Sequence, residues 1–178
     1  MIWKNVRSDW HRTYMGHERK FNMQIRRAEK KDMDGINKLL NQVLMVHHNG
    51  RPDLFKANVK KYNDDQLLEI IADDERPIFV GLDENEQVMG YAFCVFEHHK
   101  DDNILTPIKT LYIDDLCVDE TLRGQHVGSQ IYEYVLAFAK ERGCYNVTLN
   151  VWECNPSAKK FYEAMGLVPY KTGMEKIL

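Results

Sequence analysis

No two of the four cysteines, Cys94, Cys117, Cys144 and Cys154, stand in a C-x-x-C pair. That argues against a zinc site, and no metal is expected. Three of them lie in apolar, strand-like stretches, where a free thiol behaves as a small hydrophobe and suits a reducing cytoplasm. No run approaches the roughly 20 apolar residues of a membrane helix, so no membrane span is expected. The first residues lack the apolar core of a secretory signal, and none is expected. No internal repeat or low-complexity tract is visible. A nucleotide-hydrolysing P-loop needs Gly-Lys-Ser/Thr at a helix entrance. The corresponding run here, His126-Val127-Gly128-Ser129, has no such lysine.

What is present fits one globular domain. The chain has 178 residues, 44% of them apolar, enough for a core and too many for disorder. Its net charge of −3 is uneven. Residues 1–22 hold five Lys/Arg and two Asp/Glu, a balance of +3, so the remainder carries −6. An acidic body speaks against nucleic acid and for a cationic partner. Residues 1–22 show no clear period and read as a loosely attached arm; the orderly domain spans 23–178.

Within that domain the organising stretch runs from Leu111 to Arg142. It reads as an apolar strand, a short polar loop and an amphipathic helix. The loop Arg123-Gly124-Gln125-His126-Val127-Gly128 opens directly into the helix, with Ser129 adding a hydroxyl. The first turn of a helix has free N–H groups and roughly half a positive charge. Glycines let a phosphate come close to those groups. The stretch is therefore a candidate pyrophosphate cradle.

Around it, Gln24 to Ala28 reads as a strand. Asp32 is placed to cap a helix whose apolar face is Met33, Ile36, Leu40, Val43 and Leu44, ending at a left-handed Asn49-Gly50. The adjacent His47 and His48 are assigned to solvation of that helix end rather than to metal. A short helix is predicted over Leu54 to Val59, another from Asp64-Asp65, then an antiparallel pair, Pro77 to Leu82 and Gln87 to His98. Lys109 to Val118 is the strand entering the cradle. A helix over Ser129 to Arg142 stops at Gly143. Tyr145 to Val151 alternates with period two, as a half-covered strand does. Asn155-Pro156 opens the last helix, stopped at Gly166, and a final hairpin is predicted over Leu167 to Leu178. The order implies a mixed α/β sheet with helices on both faces and the cradle at the carboxyl end of a parallel strand.

The run Leu116-Cys117-Val118, then Arg123-x-x-x-x-Gly128, then Asn155-x-x-Ala158-x-x-Phe161-Tyr162-x-x-x-Gly166 resembles the GNAT superfamily of acyl-CoA-dependent N-acetyltransferases, over about residues 24–178. The resemblance implies a mixed, mostly antiparallel (α+β) sheet with a splayed parallel pair. It implies that Leu116, Cys117 and Val118 offer backbone groups to the pantetheine of acetyl-CoA. Residues Arg123, Gly124, Gln125, His126, Val127, Gly128 and Ser129 would hold the diphosphate. Asn155 and Ala158 would border the pantetheine, and Tyr162 would lie near the sulfur. The family loop usually has glycine where this chain has His126. A histidine there either keeps an ordinary backbone or carries strain. Many relatives form homodimers, and the terminal hairpin would be available for that contact.

The implied reaction moves an acetyl group from acetyl-CoA to a primary amine of a small molecule or protein, by direct attack in a ternary complex. A lysine-like amine, with a pKa of about 10.4, is neutral about once in 2,500 at pH 7, so a base has work to do. Asp114 and Asp115 sit on the central strand just before the pantetheine segment. Consecutive strand residues face opposite sides. Asp114 is slightly preferred, and a bulge here would exchange the two. Tyr162 is the candidate acid or hydrogen-bond donor to the leaving thiolate. The His47 to Lys56 region and the 98–108 loop are expected at the acceptor entrance. The alternative reading is a catalytically weak acyl-CoA-binding sensor or interaction module of the same fold.

Overall fold

The computed structural model describes residues 23–178, so the reading of residues 1–22 as an arm lies outside the described residues. Five strands form one sheet: β1 (Gln24–Arg27), β2 (Ile78–Leu82), β3 (Val88–His98), β4 (Lys109–Val118) and β5 (Asn146–Leu149). They lie side by side in that order. The first four are antiparallel neighbours, and β5 runs parallel to β4. Helices α1 (Met33–Gly50) and α2 (Asp64–Ala72) cover one face; α3 (Val127–Glu141) and α4 (Pro156–Ala164) pack on the other. The α1 side buries Ile36, Leu39, Leu67, Val80, Tyr91 and Cys117, and the α3 side buries Phe79, Ala92, Leu111, Ile113, Ile131 and Val135. The mixed, mostly antiparallel sheet with helices on both faces is the architecture the sequence implied.

Two irregularities shape the functional region. β4 pairs with β5 only from Thr110 to Ile113, opposite Asn146 to Leu149. β4 then continues to Val118 while β5 ends, so the parallel pair parts after one short ladder. The second irregularity is a bulge between β3 and β4. Phe93 faces Asp115 and Cys94 faces Ile113, leaving Asp114 as the extra residue. A bulge reverses the inside–outside alternation beyond it. Leu111 and Ile113 accordingly point to the α3 side, while Cys117 points to the α1 side.

Several local expectations are corrected. Asp32 does not cap α1 with its side chain. Its carboxylate accepts instead from the Glu29 N–H at 2.7 Å and from the Arg26 guanidinium at 2.7 and 2.9 Å, at the start of a short 3-10 turn, Lys30–Asp32. Asn49 and Gly50 do not end α1 in a left-handed turn; the helix runs through Gly50 to Arg51, at φ −144° and ψ 69°. Gly50 is used for closeness, because a Cβ there would lie 2.8 Å from the Cys154 sulfur. Residues 54–59 form turns rather than a helix, since Pro52 and Asp53 begin a run that Arg51 ties down by hydrogen bonds to Asp53. The predicted terminal hairpin is absent: residues 167–178 contain no strand. Pro169 removes a ladder donor there, and Glu175 is held by Arg51 at 2.8 Å instead. The glycine stops are as expected, with Gly143 at φ 70° and Gly166 at φ 89°.

Candidate active site

The exit from β4 builds the cradle. Asp119 accepts from the Thr121 N–H at 3.0 Å and the Thr121 hydroxyl at 2.8 Å, closing a short 3-10 turn, Glu120–Leu122. Lys38 of α1 donates to the same carboxylate at 2.7 Å. The Asp119 N–H donates to Met89 O at 2.9 Å, tying the turn to β3. Arg123 is extended, Gly124 takes φ 75°, and the Gln125 amide donates to Thr121 O at 3.2 Å. The first helical hydrogen bond of α3 runs from Gln130 N–H to His126 O at 3.1 Å. The N–H groups of Val127, Gly128 and Ser129 precede it in the first turn, where a helix has no internal partner to offer. A Cβ at Gly128 would lie 3.4 Å from Val118 and 3.5 Å from Phe161, so this turn sits tightly between β4 and α4.

His126 resolves the question its sequence position raised. It adopts the left-handed conformation, φ 62° and ψ 10°, as the residue before α3. The loop keeps a glycine-like shape, and histidine bears a cost of about 1–2 kcal/mol for it. His126→Gly is therefore expected to hold or raise the melting temperature. His126→Val, β-branched where φ is positive, should lose about 1 kcal/mol, or about 2–4 °C. Equal melting of the two variants by scanning calorimetry would contradict this account.

Asp119 was not singled out from sequence, although an Asp two residues before Thr at a strand exit is a recognisable turn cap. Its hydrogen bond from Lys38 outweighs the effect of burial, and with Thr121 it holds the carboxyl down at about 2. A folded pKa below the unfolded value gives stability that is present above about pH 4 and lost as pH falls toward 2. Its side chain is 7% exposed, whereas Lys38 is 66% exposed and screened. The expected contribution is therefore at most about 2 kcal/mol. Denaturant melts of wild type and Asp119→Asn should differ at pH 6 and converge near pH 2.

On the α1 side of β4, titratable groups gather. The Asp115 carboxylate, 10% exposed, accepts from the Tyr91 hydroxyl at 3.1 Å and lies 3.5 Å from Lys61 Nζ. Asp114 lies more open, 35% exposed, with Lys61 Nζ at 3.0 Å. Burial raises the Asp115 pKa above the usual carboxylate value, against the opposing pull of Lys61 and Tyr91. Burial likewise raises Tyr162 on α4, with the Asp115 charge adding to the shift. Cys117 is pushed up to about 12 by burial, and its thiol rests 3.6 Å from Leu39 O. The paired histidines do more than solvate a helix end. His48 Nδ1 is 2.7 Å from Phe55 O, and the His47 ring packs 5.0 Å from Phe55 and 6.5 Å from Trp152. Burial lowers the His47 pKa, while Asp115 opposes.

The structure thus brings together Asp115, Tyr91 and Cys117, with Tyr162 of α4 near enough for the Asp115 charge to act on it. Leu116 and Val118 pack on the α3 side. The Asn155 side chain caps α4 by accepting from the Ala158 N–H at 3.2 Å. The 98–108 loop joins β3 to β4 at the opposite end of the hairpin from the cradle. Lys61, Tyr91 and Trp152 were missed as site residues, whereas His47 and Phe55 fall in the His47 to Lys56 region expected at the acceptor entrance. Nothing in the 51–63 connection announces which lysine folds back onto the sheet.

A parted parallel pair, a helix entrance at the end of its first strand and a largely buried carboxylate, Asp115, make up the candidate site. Residues 45–167 match the acetyltransferase (GNAT) family model, and the chain belongs to that family of N-acetyltransferases. It is 28% identical over 148 residues to a probable glucosamine 6-phosphate N-acetyltransferase of Drosophila melanogaster, covering 82% of this chain and 61% of that one. A probable glucosamine 6-phosphate N-acetyltransferase 2 of Oryza sativa is 27% identical over 154 residues, covering 82% of each. The chain thus spans less than two thirds of the Drosophila relative. Among solved structures, a tetramutant of the BH1408 protein of Bacillus halodurans superposes with a TM-score of 0.83 at 30% identity, covering 87% of this chain and 99% of that one.

Proposed function

We propose that this protein transfers an acetyl group from acetyl-CoA to a primary amine, by direct attack of the amine on the thioester. The observation that carries the reading is the gap opened where β5 leaves β4 at Ile113, with the α3 entrance at its end and Asp115 and Tyr162 beside it. The unpaired edge of β4 at Leu116, Cys117 and Val118 offers backbone groups to the pantetheine arm. Arg123, Gly124, Gln125, His126, Val127, Gly128 and Ser129 hold the diphosphate through first-turn N–H groups and the positive end of α3. Asn155 and Ala158 border the same arm from α4.

Asp115 is the base in this reading, since the bulge gives Asp114 the more open position. Freeing an amine of pKa about 10.4 at pH 7 costs roughly 4–5 kcal/mol. A desolvated carboxylate with a raised pKa meets that demand better than an exposed one. Tyr162, kept protonated by burial and by the Asp115 charge, donates a hydrogen bond to the departing thiolate. Cys117 carries no acetyl group: a thiol at about 12 presents almost no thiolate at neutral pH. Direct attack needs no such intermediate.

The acceptor is an amine of a polyamine, an aminoglycoside, a protein lysine or an amino sugar phosphate. The last enters because two relatives carry glucosamine 6-phosphate in their names. The four thiols form no disulfide, which suits the cytoplasm. The test is thiol release from acetyl-CoA against a panel of these amines, with mass spectrometry of the products. Release matched by one acetylated amine supports the enzyme. Tight acetyl-CoA binding with no release in any arm supports the non-catalytic module instead.

A further inference from the structure

A base takes a proton from an amine only within hydrogen-bond reach, about 2.6–3.2 Å or through one water. In this structure an aliphatic primary amine stands between two carboxylates, within that reach of Asp114 and a few tenths of an ångström beyond it from Asp115. Lys61 Nζ lies 3.0 Å from Asp114 Oδ2 and 3.5 Å from Asp115 Oδ2. It also lies 5.4 Å from the centre of the Tyr62 ring and 6.0 Å from that of Phe93. Its side chain is 36% exposed, so it is not sealed inside the core. Lys61 belongs to the 51–63 connection, which has neither helix nor strand and lies just before the Asn63 cap of α2. The next residue, Tyr62, is anchored by stacking 5.8 Å from Phe93. Lys60, one residue earlier, is turned to Asp64 at 2.9 Å and serves as an internal comparison.

We propose that Lys61 is an acetylation site of this protein's own active centre, modified in cis from acetyl-CoA when no external amine is bound. The inference rests on the proposed transferase reading. In the step, the Lys61 Nζ–C bond to the acetyl carbonyl carbon forms and the C–S bond of the thioester breaks. Two protons leave the ammonium. Asp115 takes one before attack and passes it to water; the other is balanced on the thiolate, which departs as the coenzyme A thiol. The net products are N-acetyl-Lys61, coenzyme A and one proton. Burial disfavours the Lys61 charge, yet Asp115 and Asp114 outweigh it and raise its pKa, so modification is slow at neutral pH and quickens as pH rises. The groups facing this pair are His47 from α1, Tyr62 from the connection, Tyr91 from β3, Asp114 and Cys117 from β4, and Tyr162 from α4. A good acceptor must displace the Lys61 ammonium, so saturating acceptor protects Lys61.

The experiment incubates the full chain with acetyl-CoA alone and maps acetylated peptides over time. Acetylation of Lys61 on the order of 10²-fold faster than Lys60 is expected, because Lys61 faces the desolvated Asp115 whereas Lys60 faces the exposed Asp64. Asp115→Asn should reduce Lys61 to the Lys60 background, and Lys61→Arg should remove the fast site with no new one appearing. Equal rates at Lys60 and Lys61, or an excess unchanged in Asp115→Asn, overturns the proposal. Turnover of an external amine with Lys61 unmodified in its absence sinks this inference and leaves the transferase reading standing. Failure of the folded chain to bind acetyl-CoA, by calorimetry, sinks both.

Discussion

Asp115→Asn is expected to lower kcat/KM for the best amine by about 10²-fold or more, while Asp114→Asn changes it only several-fold. The two neighbours differ because the β3–β4 bulge absorbs Asp114 and leaves Asp115 buried against Tyr91. Burial raises the Asp115 pKa, so the acid limb of the wild-type profile should lie above the ordinary carboxylate value of about 3.9, with activity rising as the group ionises. In Asp115→Asn that limb should vanish. Stability should move the other way. A carboxyl whose folded pKa is raised binds its proton more tightly folded than unfolded, so its ionised form costs stability as pH climbs past the unfolded value. Asparagine can still accept from the Tyr91 hydroxyl. The variant should therefore melt no lower than wild type at pH 7, and any advantage should fade below pH 4. A variant that keeps both its rate and its acid limb assigns the base elsewhere.

The same bulge marks the limit of what the sequence could convey. Period-two alternation in Tyr145 to Val151 is visible, and so are the cradle and the Asn155-Pro156 helix start, because each depends on residues adjacent in the chain. Which of Asp114 and Asp115 turns inward depends on one unpaired residue in a partnership with β3, and that is a long-range fact. Lys61 illustrates the same limit. Its role comes from a connection with turns but no helix, fixed by Tyr62 stacking on Phe93 and by Arg51 gripping Asp53. Neither contact leaves a periodic trace. The hairpin expected over Leu167 to Leu178 failed for a related reason: Pro169 and the Arg51–Glu175 pair hold that segment otherwise. His126 went the opposite way. Its position before a helix was legible, and only the backbone angle told which of two conformations it takes.

Tyr162→Phe is expected to lower kcat about 10- to 100-fold while leaving acetyl-CoA binding and the amine KM nearly unchanged. The ring is held by its packing 5.2 Å from Phe161, which phenylalanine preserves, so only the hydroxyl is lost. Burial and the Asp115 charge keep that hydroxyl protonated through the working pH range. Full transfer of its proton to a thiolate is uphill, since a thiol's reference pKa is about 8.5 against about 10 for tyrosine, and here tyrosine is raised further. The hydroxyl therefore acts as a hydrogen-bond donor that strengthens as sulfur gains charge, and the coenzyme A thiol takes its final proton from elsewhere. That distinction is measurable. If Tyr162 only donates a hydrogen bond, acyl donors whose leaving thiols are more acidic, and so develop less demand for help, should lose less rate in the variant than acetyl-CoA does. A uniform loss across leaving groups, or a change confined to KM, would remove Tyr162 from the thiolate and return it to the role of a packed aromatic.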